Sequence, residues 1–142
     1  MIKKLSIVVL LLISALAFAD KNESVDALKA RLNTTSGGDH VVLCTKIAER
    51  QLDTLDKAYN DGDLRNAQAA LSDVVTYGVR AAQVSRETGK KMKHTEIAMR
   101  RINIRLEAIR RSLSVDDRPA VTTAIQKLET ARAELLNQMF KK

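Results

Sequence analysis

Four long stretches of the chain repeat their apolar residues at intervals of three and four, which is the spacing of one face of an α-helix. They run approximately over residues 39–60, 63–88, 90–113 and 116–140. A shorter stretch with the same spacing, from about Ser24 to Asn33, precedes them. Strand-forming runs of β-branched and aromatic residues are scarce. The pattern therefore predicts an all-α protein with one short and four long helices.

Turn and capping residues separate these stretches: Gly37, Gly38 and Asp39; Asp61, Gly62 and Asp63; Gly89; and Asp116, Asp117 and Pro119. Glycine takes the left-handed conformation that ends a helix, aspartate caps the next helix, and proline fits only a first turn. The short connections predict two long antiparallel hairpins after the short N-terminal helix. We assign residues 20–38 to that helix and a glycine-rich linker, and residues 39–142 to a single helical domain.

The apolar face of each long helix is expected to form the core. In three of the helices these positions are Val41, Cys44, Ile47, Ala48, Leu52, Leu55 and Tyr59; Leu64, Ala67, Leu71, Val74, Val75 and Ala82; and Val121, Ala124, Ile125, Leu128, Ala131, Leu135 and Met139. Cys44 is in line with Ile47 and Ala48. We therefore interpret this single cysteine as a small buried apolar residue rather than a reactive thiol.

The fourth long helix carries two apolar patterns. The first has a seven-residue repeat typical of a helix that packs along another: Met92, Met99, Leu106 and Leu113, with Ile102 and Ile109 between them. Ile97 and Ile104 lie roughly opposite that repeat. Such a helix is either covered on two sides within its own domain or presents one side to a partner. The sequence favours the covered arrangement and leaves Ile97 and Ile104 as candidate partner-binding residues.

The first interhelical turn resembles a known repeat. Tyr59, Gly62, Asp63, Ala67 and Leu71 match the turn inside a tetratricopeptide repeat, and the resemblance covers about residues 52–75. In that family the aromatic residue closes one helix, and the small residue allows close contact with the next. The resemblance implies a helical hairpin whose two helices pack closely at this turn.

The two hairpins also resemble one another. A shift of 54 positions aligns seven residues of the first hairpin with residues of the same kind in the second: Leu52 with Leu106, Leu55 with Ile109, Tyr59 with Leu113, Asp63 with Asp117, Ala67 with Val121, Leu71 with Ile125 and Val74 with Leu128. An internal duplication and the chance alignment of two amphipathic hairpins both explain this match.

Residues Met1–Ala19 have the organisation of a secretory signal peptide. Lys3 and Lys4 precede an apolar run from Ile7 to Ile13, and small residues follow at Ala17 and Ala19. The apolar run is shorter than the roughly 20 residues that a membrane-spanning helix needs. We expect cleavage after Ala19 and export, either to a periplasm or out of the cell.

Positive charge is concentrated around the fourth long helix. The chain has a formal net charge of +7, and the candidate anion-binding residues are Lys90, Lys91, Lys93, Arg100, Arg101, Arg105, Arg110 and Arg111. Anionic lipid, polyanionic glycan and nucleic acid are the possible ligands of such a helix, and a merely solvated face is the simplest interpretation. Nucleic acid is disfavoured because no aromatic residue alternates with the arginines.

Catalytic motifs are not found in the sequence. His40 and Cys44 are four residues apart and could share a helix face as a metal pair, but no spacing marks a third ligand. His94 belongs to no nucleophile, metal or phosphate motif. We therefore predict a non-enzymatic protein without a cofactor that binds another macromolecule, most simply a protein. The alternatives are a polyanion binder that uses the basic helix, and a small metal-binding protein or enzyme.

Overall fold

A computed structural model describes residues 23–141, and the regular structure in this range is entirely helical. Its five helices are α1 (Val25–Leu32), α2 (Gly37–Asn60), α3 (Leu64–Thr88), α4 (Met92–Ser112) and α5 (Arg118–Met139). The prediction of an all-α protein with one short and four long helices is confirmed. The predicted signal peptide, residues 1–19, lies outside the described residues.

Most helix ends form where their capping residues predict. The Oγ atom of Ser24 accepts a hydrogen bond from the backbone N–H of Ala27 at the start of α1. Asp63 caps α3 by accepting a hydrogen bond from the N–H of Asn66. Gly62 and Gly89 have φ angles of 73° and 69°, the left-handed conformation in which glycine ends a helix without steric cost.

The start of α2 differs from the prediction. Its N-cap is Ser36 rather than Asp39, so Gly37 and Gly38 form the first helical turn and not a linker. Gly37 has a φ angle of 58°, a conformation that glycine adopts without steric cost, and it begins the helix two residues before Asp39. The connection between α3 and α4 crosses this turn. A Cβ atom on Gly38 would lie 3.4 Å from Cγ of Lys91, and one on Gly37 would lie 3.5 Å from the Lys90 side chain. These are ordinary van der Waals distances, so the lysine side chains pack against the helix start without requiring glycine there.

Within each consecutive pair of long helices, the contacts support the predicted hairpins. Asn103 of α4 donates a hydrogen bond to Glu129 of α5, whereas Arg110, farther along α4, donates to Thr122, which comes earlier in α5. The order of contacts is thus reversed between the two helices. In the first pair, α2 and α3 contact each other more extensively than any other two helices of residues 23–141.

Between the two pairs, the contacts keep the same order along both helices. Arg101 and Arg105 of α4 contact Glu49 and Asp53 of α2, respectively. Likewise, α3 and α5 contact each other near Gly78 and again between Arg86 and Glu134. The second pair of helices therefore lies beside the first with α4 next to α2 and α5 next to α3.

A main apolar cluster joins the four long helices, and a smaller one fixes α1. Leu28 and Leu32 of α1 are buried in the smaller cluster with Val41, Cys44 and other side chains of α2 and α3. The predicted core positions are buried or half-buried with one exception, Leu64, which is 49% exposed. Leu64 is the first residue of α3 and lies at the turn, where no neighbouring helix covers it. No helix in residues 23–141 has the combination of length and hydrophobicity that spanning a membrane requires.

Positions related by the shift of 54 residues have equivalent places in the two hairpins. Leu52 and Leu106 are both fully buried, and Asp63 and Asp117 are the N-caps of α3 and α5. This equivalence supports a duplication, which stays a prediction.

Candidate docking face on the fourth helix

Helix α4 has one buried face and one exposed apolar face. Met99, Ile102 and Leu106 are fully buried, whereas Ile97 is 39% and Ile104 is 63% exposed. The interpretation that this pair of isoleucines is internal is therefore wrong. The reason is that α2, α3 and α5 all contact α4 from the core side, which leaves the opposite side open. We call that side the outer face; it is centred on Ile97 and Ile104.

Two ion pairs border the outer face on the α2 side. Nη2 of Arg101 lies 2.8 Å from Oε1 of Glu49, and Nη2 of Arg105 lies 2.8 Å from Oδ1 of Asp53. All four side chains are substantially exposed, so each pair contributes at most about 1 kcal/mol to stability. Their main effect is to hold two guanidinium groups in place beside the isoleucines.

A buried carboxylate borders the outer face on the α5 side. Glu96 is only 5% exposed, and its carboxylate accepts hydrogen bonds from both Arg100 and Arg132. The closest distances are 2.7 Å to Arg100 and 2.9 Å to Arg132. The hydrogen bond from Arg100, together with that from Arg132, lowers the pKa of Glu96 despite its burial. Arg132 also pairs with Glu129 at 3.3 Å, so two carboxylates face the two guanidinium groups at this edge.

The remaining predicted cations divide into two groups. Lys90, Lys91, Lys93 and Arg111 are exposed and form no ion pair with any residue in the range 23–141. Arg110 instead pairs with Glu107 and bonds to Thr122, which turns it away from the outer face toward α5. The three lysines lie at the start of α4 and Arg111 lies at its end. The predicted cations therefore do not form a single anion-binding surface.

Sequence reasoning missed the acidic residues that accompany the basic helix. Glu49 and Asp53 of α2 pair with arginines of α4, and Asp56 lines a shallow depression together with Arg105 and Ala108. These three acidic residues are spaced by four and three positions, a spacing that places them on one face of α2. That spacing was a usable signal. Their pairing with α4 could not be read from the sequence because it depends on how the hairpins lie against each other.

The possible metal pair does not form a site. Cys44 is fully buried, and burial raises the pKa of its thiol to about 11, so the metal-binding thiolate is disfavoured. Nδ1 of His40 lies 3.3 Å from the carbonyl oxygen of Thr35, and Nε2 of His94 lies 3.1 Å from Oγ1 of Thr45. Residues 23–141 contain no cluster of three histidine, cysteine or acidic side chains that could hold a metal ion.

Comparisons of the chain with protein-family models, with curated proteins and with solved structures find no match. The resemblance to tetratricopeptide repeats thus stays a prediction from the sequence.

Proposed function

We propose that this is an exported, non-enzymatic protein that binds another protein through the outer face of α4. The observation that carries the proposal is the exposure of Ile97 and Ile104 on one side of a helix whose core positions are already filled. Seven residues separate the two isoleucines, so they lie in line roughly 10 Å apart along the helix. A partner helix or loop could cover both at once.

Burial of the two isoleucines by a partner would contribute free energy to binding. Full burial of an isoleucine side chain contributes about 1.5 to 3 kcal/mol, and the pair is exposed enough to retain much of that gain for binding. The flanking guanidinium groups of Arg100, Arg101 and Arg105 are held by carboxylates of the same chain. Because they are already positioned, a partner would orient against them with little further loss of side-chain entropy.

Export is a separate part of the proposal and rests on the sequence of residues 1–19. Mass analysis of the protein purified from its native host would find Asp20 or a close neighbour at the N-terminus. Intact Met1 in the mature protein would contradict export by signal-peptide cleavage. The choice between a periplasmic and an extracellular location stays open in this proposal.

The docking proposal is tested with two matched variants, Ile104→Glu and Leu64→Glu. Each places a carboxylate at an exposed apolar position, but only the first lies on the outer face. We expect both variants to fold with circular dichroism spectra and melting temperatures close to the parent. The parent and Leu64→Glu would retain the same protein from a native envelope fraction, and Ile104→Glu would lose it. Equal retention by all three would contradict docking at this face.

A second candidate function is the binding of a polyanionic surface, and one specific observation favours it. Lys90, Lys91 and Lys93 cluster at the start of α4 without a carboxylate partner in residues 23–141, and Lys91 has a left-handed backbone with φ of 59°. A non-glycine residue pays a steric cost in that conformation. We expect heparin to retain the parent in a salt-sensitive way and not to retain the variant with glutamine at positions 90, 91 and 93. Equal retention of the two proteins would contradict this function.

A further inference from the structure

Three arginines converge at the opposite end of α4 from the lysine cluster. Arg110, Arg111 and Arg118 line an open cavity of about 410 Å³ together with Thr122, where α4 ends and α5 begins. Among the described residues, no acidic side chain lines this cavity. Arg118 was not among the cations that the sequence singled out, because it lies in the next helix.

Several hydrogen-bond donors of this cluster have no acceptor among residues 23–141. Arg110 is the best satisfied, since it pairs with Glu107 and donates to Oγ1 of Thr122 at 3.3 Å. Arg118 uses only its Nε atom, which donates to the carbonyl oxygen of Leu113 at 3.0 Å. The two terminal nitrogens of Arg118 and all the guanidinium nitrogens of Arg111 have no acceptor within residues 23–141 and can donate hydrogen bonds to a ligand. Because the Thr122 oxygen accepts from Arg110, the Thr122 hydroxyl hydrogen is also free to donate.

We propose that this cavity binds a phosphate group carried by a larger molecule. The donors approach from two helices, which suits the several oxygens of a tetrahedral anion better than the two coplanar oxygens of a carboxylate. Guanidinium groups bind phosphate through paired, parallel hydrogen bonds. The cavity volume also exceeds by far the roughly 30 Å³ that one water molecule occupies, so it leaves room for the group that bears the phosphate.

Charge separates this site from the outer face, and position separates it from the lysine cluster. Arg100, Arg101 and Arg105 are engaged with Glu96, Glu49 and Asp53. Of the cavity arginines, only Arg110 has a carboxylate partner within residues 23–141. The lysine cluster lies about 30 Å away, at the other end of the 21-residue helix α4. The proposal does not depend on protein docking at Ile97 and Ile104.

The test is a titration of the purified protein with glycerol 3-phosphate, followed by backbone amide NMR. We expect saturable shifts confined to the end of α4 and the start of α5. The variant Arg118→Lys keeps the charge but removes the forked donor, and we expect it to weaken binding about tenfold. Thr122→Val should weaken it several-fold. The control Lys46→Gln removes an exposed positive charge from α2, outside the cavity, and should leave the affinity within twofold of the parent.

The outcomes separate a built site from general attraction between charges. Equal affinity of Arg118→Lys and the parent would overturn the proposal, as would equal weakening by Lys46→Gln. Shifts that never saturate would also overturn it. Circular dichroism melting of each variant establishes that a lost affinity is not a lost fold. If the site is confirmed, a parallel measurement with phosphatidic acid vesicles identifies the source of the phosphate. Tighter binding to the vesicles than to glycerol 3-phosphate supports a lipid headgroup. Tighter binding to glycerol 3-phosphate supports a soluble phosphomonoester.

Discussion

Gly78 lies where α3 packs closely against α5, so we expect a side chain at this position to destabilise the fold. A Cβ atom on this residue would lie 2.6 Å from Cδ2 of Leu128, which is fully buried. Ordinary carbon contacts are about 3.5 to 4.0 Å, so either Leu128 or the two helices must move by about 1 Å. Such overpacking costs about 1 to 3 kcal/mol. Replacing a glycine inside a helix by alanine stabilises the helix by about 1 kcal/mol. We therefore expect Gly78→Ala to destabilise the protein by up to about 2 kcal/mol.

The Leu128→Ala background should reverse the sign of this effect. Without the leucine there is nothing for the added Cβ atom to collide with, so only the gain in helix propensity of about 1 kcal/mol remains. Leu128→Ala alone should cost about 2 to 5 kcal/mol, because it leaves a cavity in the core. Urea unfolding of the four proteins, monitored by circular dichroism, gives the coupling free energy as a double-mutant cycle. A value below about 0.5 kcal/mol would refute the proposed close contact of α3 with α5.

Three further predictions concern the core, a buried carboxylate and a strained turn. Leu71→Ala should cost about 2 to 5 kcal/mol, whereas the exposed control Gln68→Ala should change stability by less than about 0.5 kcal/mol; equal melting temperatures would show that the assigned helix faces are wrong. Glu96→Gln should destabilise at pH 7 by about 1 to 3 kcal/mol. The pKa of Glu96 is lowered in the folded state, so the stability difference between parent and variant should persist above about pH 4.3 and disappear as the pH falls further. A stability difference that does not change between about pH 7 and pH 2 would contradict the ion pairing. Lys91→Gly should stabilise by about 1 kcal/mol in thermal unfolding, since glycine tolerates the left-handed backbone; a loss of stability would contradict this explanation.

Local signals in the sequence were enough to predict the helices. The cap at Asp63 and the glycines at 62 and 89 act within one turn of themselves, so the chain near them determines the outcome. The prediction failed at Gly37 and Gly38, because a glycine that separates two helices and a glycine that begins a helix, as Gly37 does with a φ of 58°, look alike in the sequence.

The candidate site was predicted only in part, because it depends on contacts between helices. Helical spacing placed Ile97 and Ile104 opposite the buried repeat, but whether another helix covered them depended on how the hairpins lie together. The same arrangement decides that Arg101 meets Glu49 and that Arg118 joins Arg111. Such contacts join residues far apart in sequence or in separate helices, and no periodicity within one helix encodes them.

The central claim is that the outer face of α4 contacts a partner protein. Site-specific photo-crosslinking in the native host tests it most directly, with p-benzoylphenylalanine placed at position 104 or, as a control, at position 140. Both Ile104 and Phe140 are exposed apolar residues, at 63% and 76%, and Phe140 lies beyond the end of α5. We predict one adduct of defined mass that forms from position 104 and not from position 140. The absence of any adduct specific to position 104, at normal protein levels and with the fold intact, would contradict the account.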